Sequence, residues 1–153
     1  MTVTLREAQA KDLDALVRLE QIAFEGDRFS RRQLWHLLNR ANAHVLLVET
    51  LERRLLGHGI LLFRRSSQRV RLYSFCVHPE ARGMGIGRQL LESLEQEARR
   101  RGGERLTLEV RADNRAALAL YRRMGFSLQR WLEDYYEDGC AGWQMEKPLG
   151  STR

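Results

Sequence analysis

Cysteine is scarce in this chain. The two present, Cys76 and Cys140, are too few to frame a disulfide-stapled fold, and both are read as reduced, structural thiols. Long apolar runs are missing as well: no window approaches the roughly 18 consecutive apolar residues of a membrane span. The N-terminus, Met1-Thr2-Val3-Thr4-Leu5-Arg6, lacks the basic-then-apolar pattern of a signal peptide. These absences lead to the expectation of a soluble, cytoplasmic protein with no membrane partner. The four histidines, His36, His44, His58 and His78, fall on separate segments without ligand spacing, so no metal site is expected. There is no internal repeat, linker or low-complexity stretch, and a length of 153 residues suits one domain spanning 1–153.

What the chain does have is an excess of positive charge. Its net charge of +6 comes almost entirely from arginine, in clusters such as Arg31-Arg32, Arg64-Arg65, Arg99-Arg100-Arg101 and Arg122-Arg123. These are dispersed along the sequence, which favours solvated faces and helix ends over a dedicated nucleic-acid patch. A nucleic-acid partner is therefore not expected, although a phosphate-rich ligand would be drawn to such a field.

The chain is organised around the stretch from Val77 through His78-Pro79-Glu80-Ala81-Arg82-Gly83-Met84-Gly85-Ile86-Gly87-Arg88 to Leu91. An apolar strand ends at Val77, and Pro79 stops it by removing a ladder donor. From Ile86 the apolar residues change period to Ile86, Leu90, Leu91, Leu94 and Ala98, the stripe of an amphipathic helix. Between strand and helix, Gly83, Gly85 and Gly87 leave the backbone uncovered. Successive N–H groups at a helix start make an anion site, with Arg82 and Arg88 adding full charges. A flexible loop that merely caps the helix remains the alternative reading of the glycines. A P-loop is excluded because no Gly-Lys-Ser/Thr follows.

Elsewhere the periodicity predicts a strand over 2–7, a helix over 11–24 with Asp12 and Asp14 in its first turn, and a break at Glu25-Gly26-Asp27-Arg28-Phe29. A second helix starts at the capping box Ser30-Arg31-Arg32-Gln33 and runs to about Arg40. Strands are predicted over 44–50, 55–64 and 69–77, antiparallel because their links are short. The helix after the glycine loop ends at Arg101-Gly102-Gly103. Strand 105–111 follows this helical crossover and can lie parallel to 69–77. Asp113-Asn114 caps a helix closed by Gly125, and strands over 126–136 and 142–147 finish the chain around Glu137-Asp138-Gly139.

Arg82-x-x-Gly85-x-Gly87 resembles the acetyl-CoA signature of the Gcn5-related N-acetyltransferase superfamily, and the element order is similar from end to end. The segment Leu108-Glu109-Val110-Arg111 … Asn114 … Ala117-Leu118-Ala119-Leu120-Tyr121 … Gly125-Phe126 is similar to the branch that acetylates the N-terminal amine of ribosomal protein S18. The resemblance implies an α/β (α+β) fold: one mixed, mostly antiparallel sheet of about seven strands flanked by four helices, splayed between the strand ending at Val77 and the strand starting at Arg105. It implies acetyl-CoA as co-substrate, held by Phe75, Cys76, Val77, Arg82, Gly83, Met84, Gly85, Ile86, Gly87, Arg88 and Asn114. It implies Glu109 as general base and Tyr121 as general acid, and an acceptor groove containing Phe29 and Tyr136.

The implied activity is acetyl transfer to a primary amine, most simply a protein or peptide N-terminus, by direct attack in a ternary complex, from a monomer or homodimer. A lysine, a small polyamine or an amino sugar is the alternative acceptor, and a non-catalytic acetyl-CoA or RNA binding module is the alternative class. Each residue also has a plain reading: Glu109 pairs with Arg111 on its own strand, Tyr121 belongs to the core, Asn114 is a helix cap, and Cys76 is packing. The sequence departs from that branch in two places. Asp27-Arg28-Phe29-Ser30 stands where the branch has Pro-Trp, and Ala141-Gly142 stands where it has Asp-Ala.

Overall fold

A computed structural model describes residues 2–24, 28–40 and 42–150. The described elements are β1 (Val3–Glu7), α1 (Leu13–Ala23), α2 (Arg31–Asn39), β2 (Ala43–Thr50), β3 (Leu55–Phe63), β4 (Arg69–Val77), α3 (Ile86–Arg100), β5 (Arg105–Arg111), α4 (Arg115–Arg123), β6 (Ser127–Leu132) and β7 (Gly142–Pro148). Seven strands form one sheet in the order β1-β2-β3-β4-β5-β7-β6, with only β4 and β5 parallel. No helix among the described residues is long and apolar enough to cross a membrane.

The sheet is covered on both faces. On one, Leu16 of α1 and Leu34 and Leu37 of α2 pack on Val45, Leu47 and Ile60. On the other, Leu90, Leu91, Leu94 and Ala98 of α3 pack with Leu61, Leu72, Leu106 and Met145, and Tyr121 of α4 joins them. The predicted apolar stripe of α3 is thus the face it buries. α3 lies so close to β3 that a Cβ on Gly59 would stand 2.3 Å from Leu94 Cδ1.

The second helix has the capping box read from the sequence: Gln33 N–H donates to Ser30 Oγ at 3.1 Å, and Ser30 N–H to Gln33 Oε1 at 2.8 Å. Two boundaries differ from expectation. The first helix begins at Leu13, not Lys11, after a 3-10 turn over Ala10–Asp12. Asp12 is drawn into that turn because it accepts the Gln9 N–H at 2.7 Å and two bonds from Arg6 at 2.9 and 2.8 Å. The strand expected to reach Tyr136 stops at Leu132, where its ladder with β7 ends opposite Gly142. Asp134 then takes φ +48, and Tyr136 N–H bonds to Cys140 O at 3.1 Å, so Tyr136 sits on a loop. The break expected around 25–29 falls partly outside the described residues.

The two parallel strands stay together for three residue pairs, Arg69↔Arg105, Val70↔Leu106 and Arg71↔Thr107. Beyond them β4 carries a bulge: Ile60 faces Ser74 and Leu61 faces Leu72, which leaves Tyr73 as the extra residue. A bulge bends its strand and increases the local twist. β5 meanwhile stays paired with β7 along its whole length, so the sheet opens between Leu72–Val77 and Leu108–Arg111.

Charged groups brace the outside. Lys147 of β7 is ion-paired with the nearly buried Glu95 of α3. Glu97 receives Arg100 at 2.6 Å and Arg101 at 2.7 Å, and these arginines pull its carboxyl down to about 2. The folded value lies below the unfolded value of about 4.3, so this stabilisation is full above that pH and is lost as pH falls toward the folded value. Glu97→Gln is therefore expected to lower stability at neutral pH and to flatten the decline between about pH 4.5 and 2, read from urea unfolding over a pH series. Leu94 is completely buried. Leu94→Ala is expected to reduce unfolding free energy by roughly 2–5 kcal/mol, seen as a lower urea midpoint.

Candidate active site

A cleft of about 1490 Å³ occupies the opening between β4 and β5. One end is built by the glycine loop. Pro79–Ala81 form a 3-10 turn that His78 caps by accepting the Glu80 N–H at 3.1 Å. Gly83 and Gly85 follow at φ +81 and +77, a region that L side chains rarely adopt, and Gly85 is the N-cap of α3. A Cβ at either would meet nothing within 4 Å, so it is backbone conformation, not crowding, that calls for glycine there. Gly87 differs: its φ is ordinary, and a Cβ would make normal contact with Leu120 at 3.5 Å.

No side chain caps α3. Its first helical bond runs from Gln89 N–H to the N-cap carbonyl of Gly85 at 3.1 Å, which leaves the N–H groups of Ile86, Gly87 and Arg88 without helical acceptors. Three donors at the positive end of a 15-residue helix suit an anion. Arg82 and Arg88 line the same end, and Arg88 is also held by Glu92 at 3.0 Å. Of the residues expected around a cofactor, Phe75, Cys76, Val77, Arg82, Gly83, Gly85, Ile86, Gly87, Arg88 and Asn114 line the cleft. Met84 is not among the lining residues, and its side chain is turned out, 48% exposed. Asn114 is the cap the sequence suggested: its Oδ1 accepts the Ala117 N–H at 3.1 Å at the start of α4.

Glu109 and Tyr121 reach the cleft from opposite sides. Glu109 projects from β5, half-buried. Its recorded ion pair is with Arg71 of β4, and Tyr135 Oη donates to its Oε1 at 3.4 Å. The sequence had offered Arg111 as the partner. Arg111 instead reaches Asp113 at 3.1 Å and Asp138 at 2.7 Å. Arg71 was missed because its pairing crosses from one parallel strand to the other. With Arg71 opposite Thr107, Glu109 is the next residue on the same face, a diagonal neighbour that only the register reveals. Arg71 also lies over the Tyr73 ring, 4.9 Å from its centroid.

Tyr121 is 6% exposed, set edge-on against Phe75 at 6.0 Å and Phe126 at 5.6 Å. The ring is packed in the core, and the residue also lines the cleft. Burial pushes its hydroxyl well above the ordinary tyrosine range, which keeps it protonated and able to donate.

At the far end Phe29 packs against Tyr73 at 4.9 Å, and its N–H donates to Glu20 Oε1 at 3.1 Å. Tyr136 lies opposite, its ring 5.0 Å beneath the Arg111 guanidinium. Both residues expected to contact an acceptor therefore line the cleft. Glu20 and His58 were not singled out by the sequence, although Glu20 on the inner stripe of α1 was a charged residue at an apolar position.

The acetyltransferase (GNAT) family pattern matches residues 11–126. The chain belongs to this family. Its similarity to the ribosomal protein bS18-alanine N-acetyltransferase of Escherichia coli K12 is 45% identity over 65 residues, which span 42% of this chain and 44% of that relative's length. A putative enzyme of the same description from Bacillus subtilis is 28% identical over 136 residues, 88% of this chain and 87% of that protein. The crystal structure of the Escherichia coli S18-alanine acetyltransferase superposes with a TM-score of 0.88 at 28% identity, covering 99% of this chain and 97% of that one. The splayed sheet, with its helices on both faces, is the GNAT fold.

For this GNAT chain the burial of Tyr121 has a measurable consequence. Spectrophotometric titration is expected to show late tyrosine ionisation, to which burial and Glu109 also push Tyr135, and Tyr121→Phe is expected to remove the latest step.

Proposed function

We propose that this protein transfers the acetyl group of acetyl-CoA to a primary amine, in the first instance a protein or peptide N-terminal α-amine, by direct attack in a ternary complex. The observation that carries this reading is the single cleft that holds an anion-seeking helix start at one end and a carboxylate, Glu109, across from an unpaired strand edge at the other. Membership of the GNAT family and similarity to the S18-alanine enzymes support it.

In this reading the diphosphate of acetyl-CoA is held by the first-turn N–H groups of α3, with Arg82 and Arg88 supplying charge. The acyl arm then runs into the opening between β4 and β5. There Phe75–Val77 is paired with β3 on one side and, among the described residues, has no strand on the side facing β5, where it can donate an N–H to the carbonyl oxygen as negative charge develops.

The acceptor arrives as an ammonium and must lose a proton. An α-amine, with a reference pKa near 8, needs less help at neutral pH than a lysine near 10.4. Glu109 takes that proton, directly or through water, and Arg71 and Tyr135 hold its carboxylate in place. Tyr121 donates to the departing thiolate, a role its burial suits because the hydroxyl stays protonated.

Intact-mass analysis with acetyl-CoA and an amine panel tests the proposal. The expected result is acetylation of short peptides at the N-terminus, with coenzyme A released in equal amount. Glu109→Gln and Tyr121→Phe are each expected to lower kcat by about 10²- to 10⁴-fold while leaving acetyl-CoA binding in place. Gly85→Val, which forces a β-branched residue to φ +77, is expected to weaken acetyl-CoA binding about tenfold in calorimetry. Binding without transfer to any amine would refute the enzymatic reading.

A further inference from the structure

The wall of the cleft on the Phe29 side ends in a buried charge cluster that the reaction scheme leaves unused. Glu20 of α1 is 1% exposed and His58 of β3 is fully buried. The second oxygen of Glu20 lies 3.6 Å from His58 Nε2, and the first accepts the Phe29 N–H at 3.1 Å. Cys76 Sγ sits beside them, with one donor atom from each of the three within 4.8 Å of the others.

We propose that Glu20, seated against His58, is a positioning device for the acceptor side of the site: its side-chain oxygen fixes Phe29, and through Phe29 the surface against which the amine substrate is placed. The inference rests on the amine-acetylation reading and deepens it.

A buried ion pair is a poor source of stability, because desolvating both charges offsets their attraction. What it supplies is direction. A carboxylate seated 3.6 Å from His58 Nε2 inside the sheet presents its other oxygen at the cleft wall, where it accepts the Phe29 backbone N–H. Ring contacts carry the constraint onward. Phe29 packs on Tyr73, the bulge residue of β4; Tyr73 carries the Arg71 guanidinium; and Arg71 is paired with Glu109. The anchor thus bonds to Phe29 directly and is linked through Tyr73 and Arg71 to the proposed base.

The trio also has the donor types of a metal site. Charge balance favours a proton in that place. Burial alone would lower the His58 pKa, but the neighbouring Cys76 and Glu20 raise it above the ordinary imidazole range, the direction that favours the protonated ring. Protonation of the ring would remove the lone pair a metal needs.

The experiment is steady-state kinetics on an amine that the wild type acetylates, with Glu20→Ala, Glu20→Gln and His58→Gln. Glu20→Ala, which removes the acceptor for the Phe29 N–H, is expected to raise the KM for the amine about tenfold or more while leaving the KM for acetyl-CoA unchanged. Glu20→Gln keeps a side-chain oxygen and is expected to recover most of the loss. His58→Gln, which loosens the carboxylate but leaves it present, is expected to fall between them, and it carries the test if Glu20→Ala fails to fold. Parallel rises in both KM values, equal loss in Glu20→Ala and Glu20→Gln, or an unchanged amine KM would overturn the proposal while leaving the acetyltransferase reading intact. Stoichiometric zinc in the purified protein would overturn it as well. A wild-type protein that binds acetyl-CoA and acetylates no amine would overturn both.

Discussion

The structure depends on the parting of two parallel strands. β4 and β5 share three residue pairs and then separate, and every feature of the site uses the gap that results. Two parallel strands kept side by side would satisfy each other's backbone groups and leave no room for a ligand. Here the cost of opening the sheet is limited by partners on the outer edges, since β4 remains bonded to β3 and β5 to β7. The bulge at Tyr73 lets β4 bend away without releasing β3. A rigid sheet with an opening inside it is a good scaffold for transfer, because the groups on its two lips hold their separation.

The opening also decides how charge is arranged. At one end the cleft presents main-chain donors and the positive end of a helix dipole, with no buried cation needed to favour negative charge there. At the other, charges are matched by partners in the fold: Glu109 by Arg71, Arg111 by Asp113 and Asp138, Glu20 by His58. The acidic turn at Glu137-Asp138-Gly139 is partly engaged within the protein, since Asp138 is bound to Arg111. Much of the arginine excess serves helix ends and strand edges. Arg100 and Arg101 hold Glu97, and Arg69 and Arg105 flank Glu146.

Local signals were legible where one residue type has one physical use. Ser30 with Gln33 could be read as a capping box, Asn114 as a helix cap, and Pro79 as the end of a strand, because each acts on backbone groups within a few residues. The glycine loop was legible for the same reason, though its glycines divide on inspection into two that set backbone angle and one that allows helix packing. Boundaries were less legible where a distant partner intervened. Asp12 fits the first turn of a helix by composition, yet Arg6 and the Gln9 amide hold it in a tighter turn ahead of the helix. Tyr136 lies in a run that reads as strand, but its ladder partner is exhausted at Leu132.

By itself the sequence determined which stretches become strands or helices, which face of each is buried, and where a helix starts on a glycine loop without a side-chain cap. Those properties follow from periodicity, capping and backbone conformation, all set within a few residues. Tertiary structure alone decided that Glu109 meets Arg71 and not Arg111, that Met84 turns away from the cleft, and that Glu20, His58 and Cys76 converge from three separate elements. These outcomes depend on strand register, on the bulge at Tyr73 and on the docking of α1 against the sheet. The free energies that fix them come from contacts between residues far apart in the chain, and no local pattern encodes those.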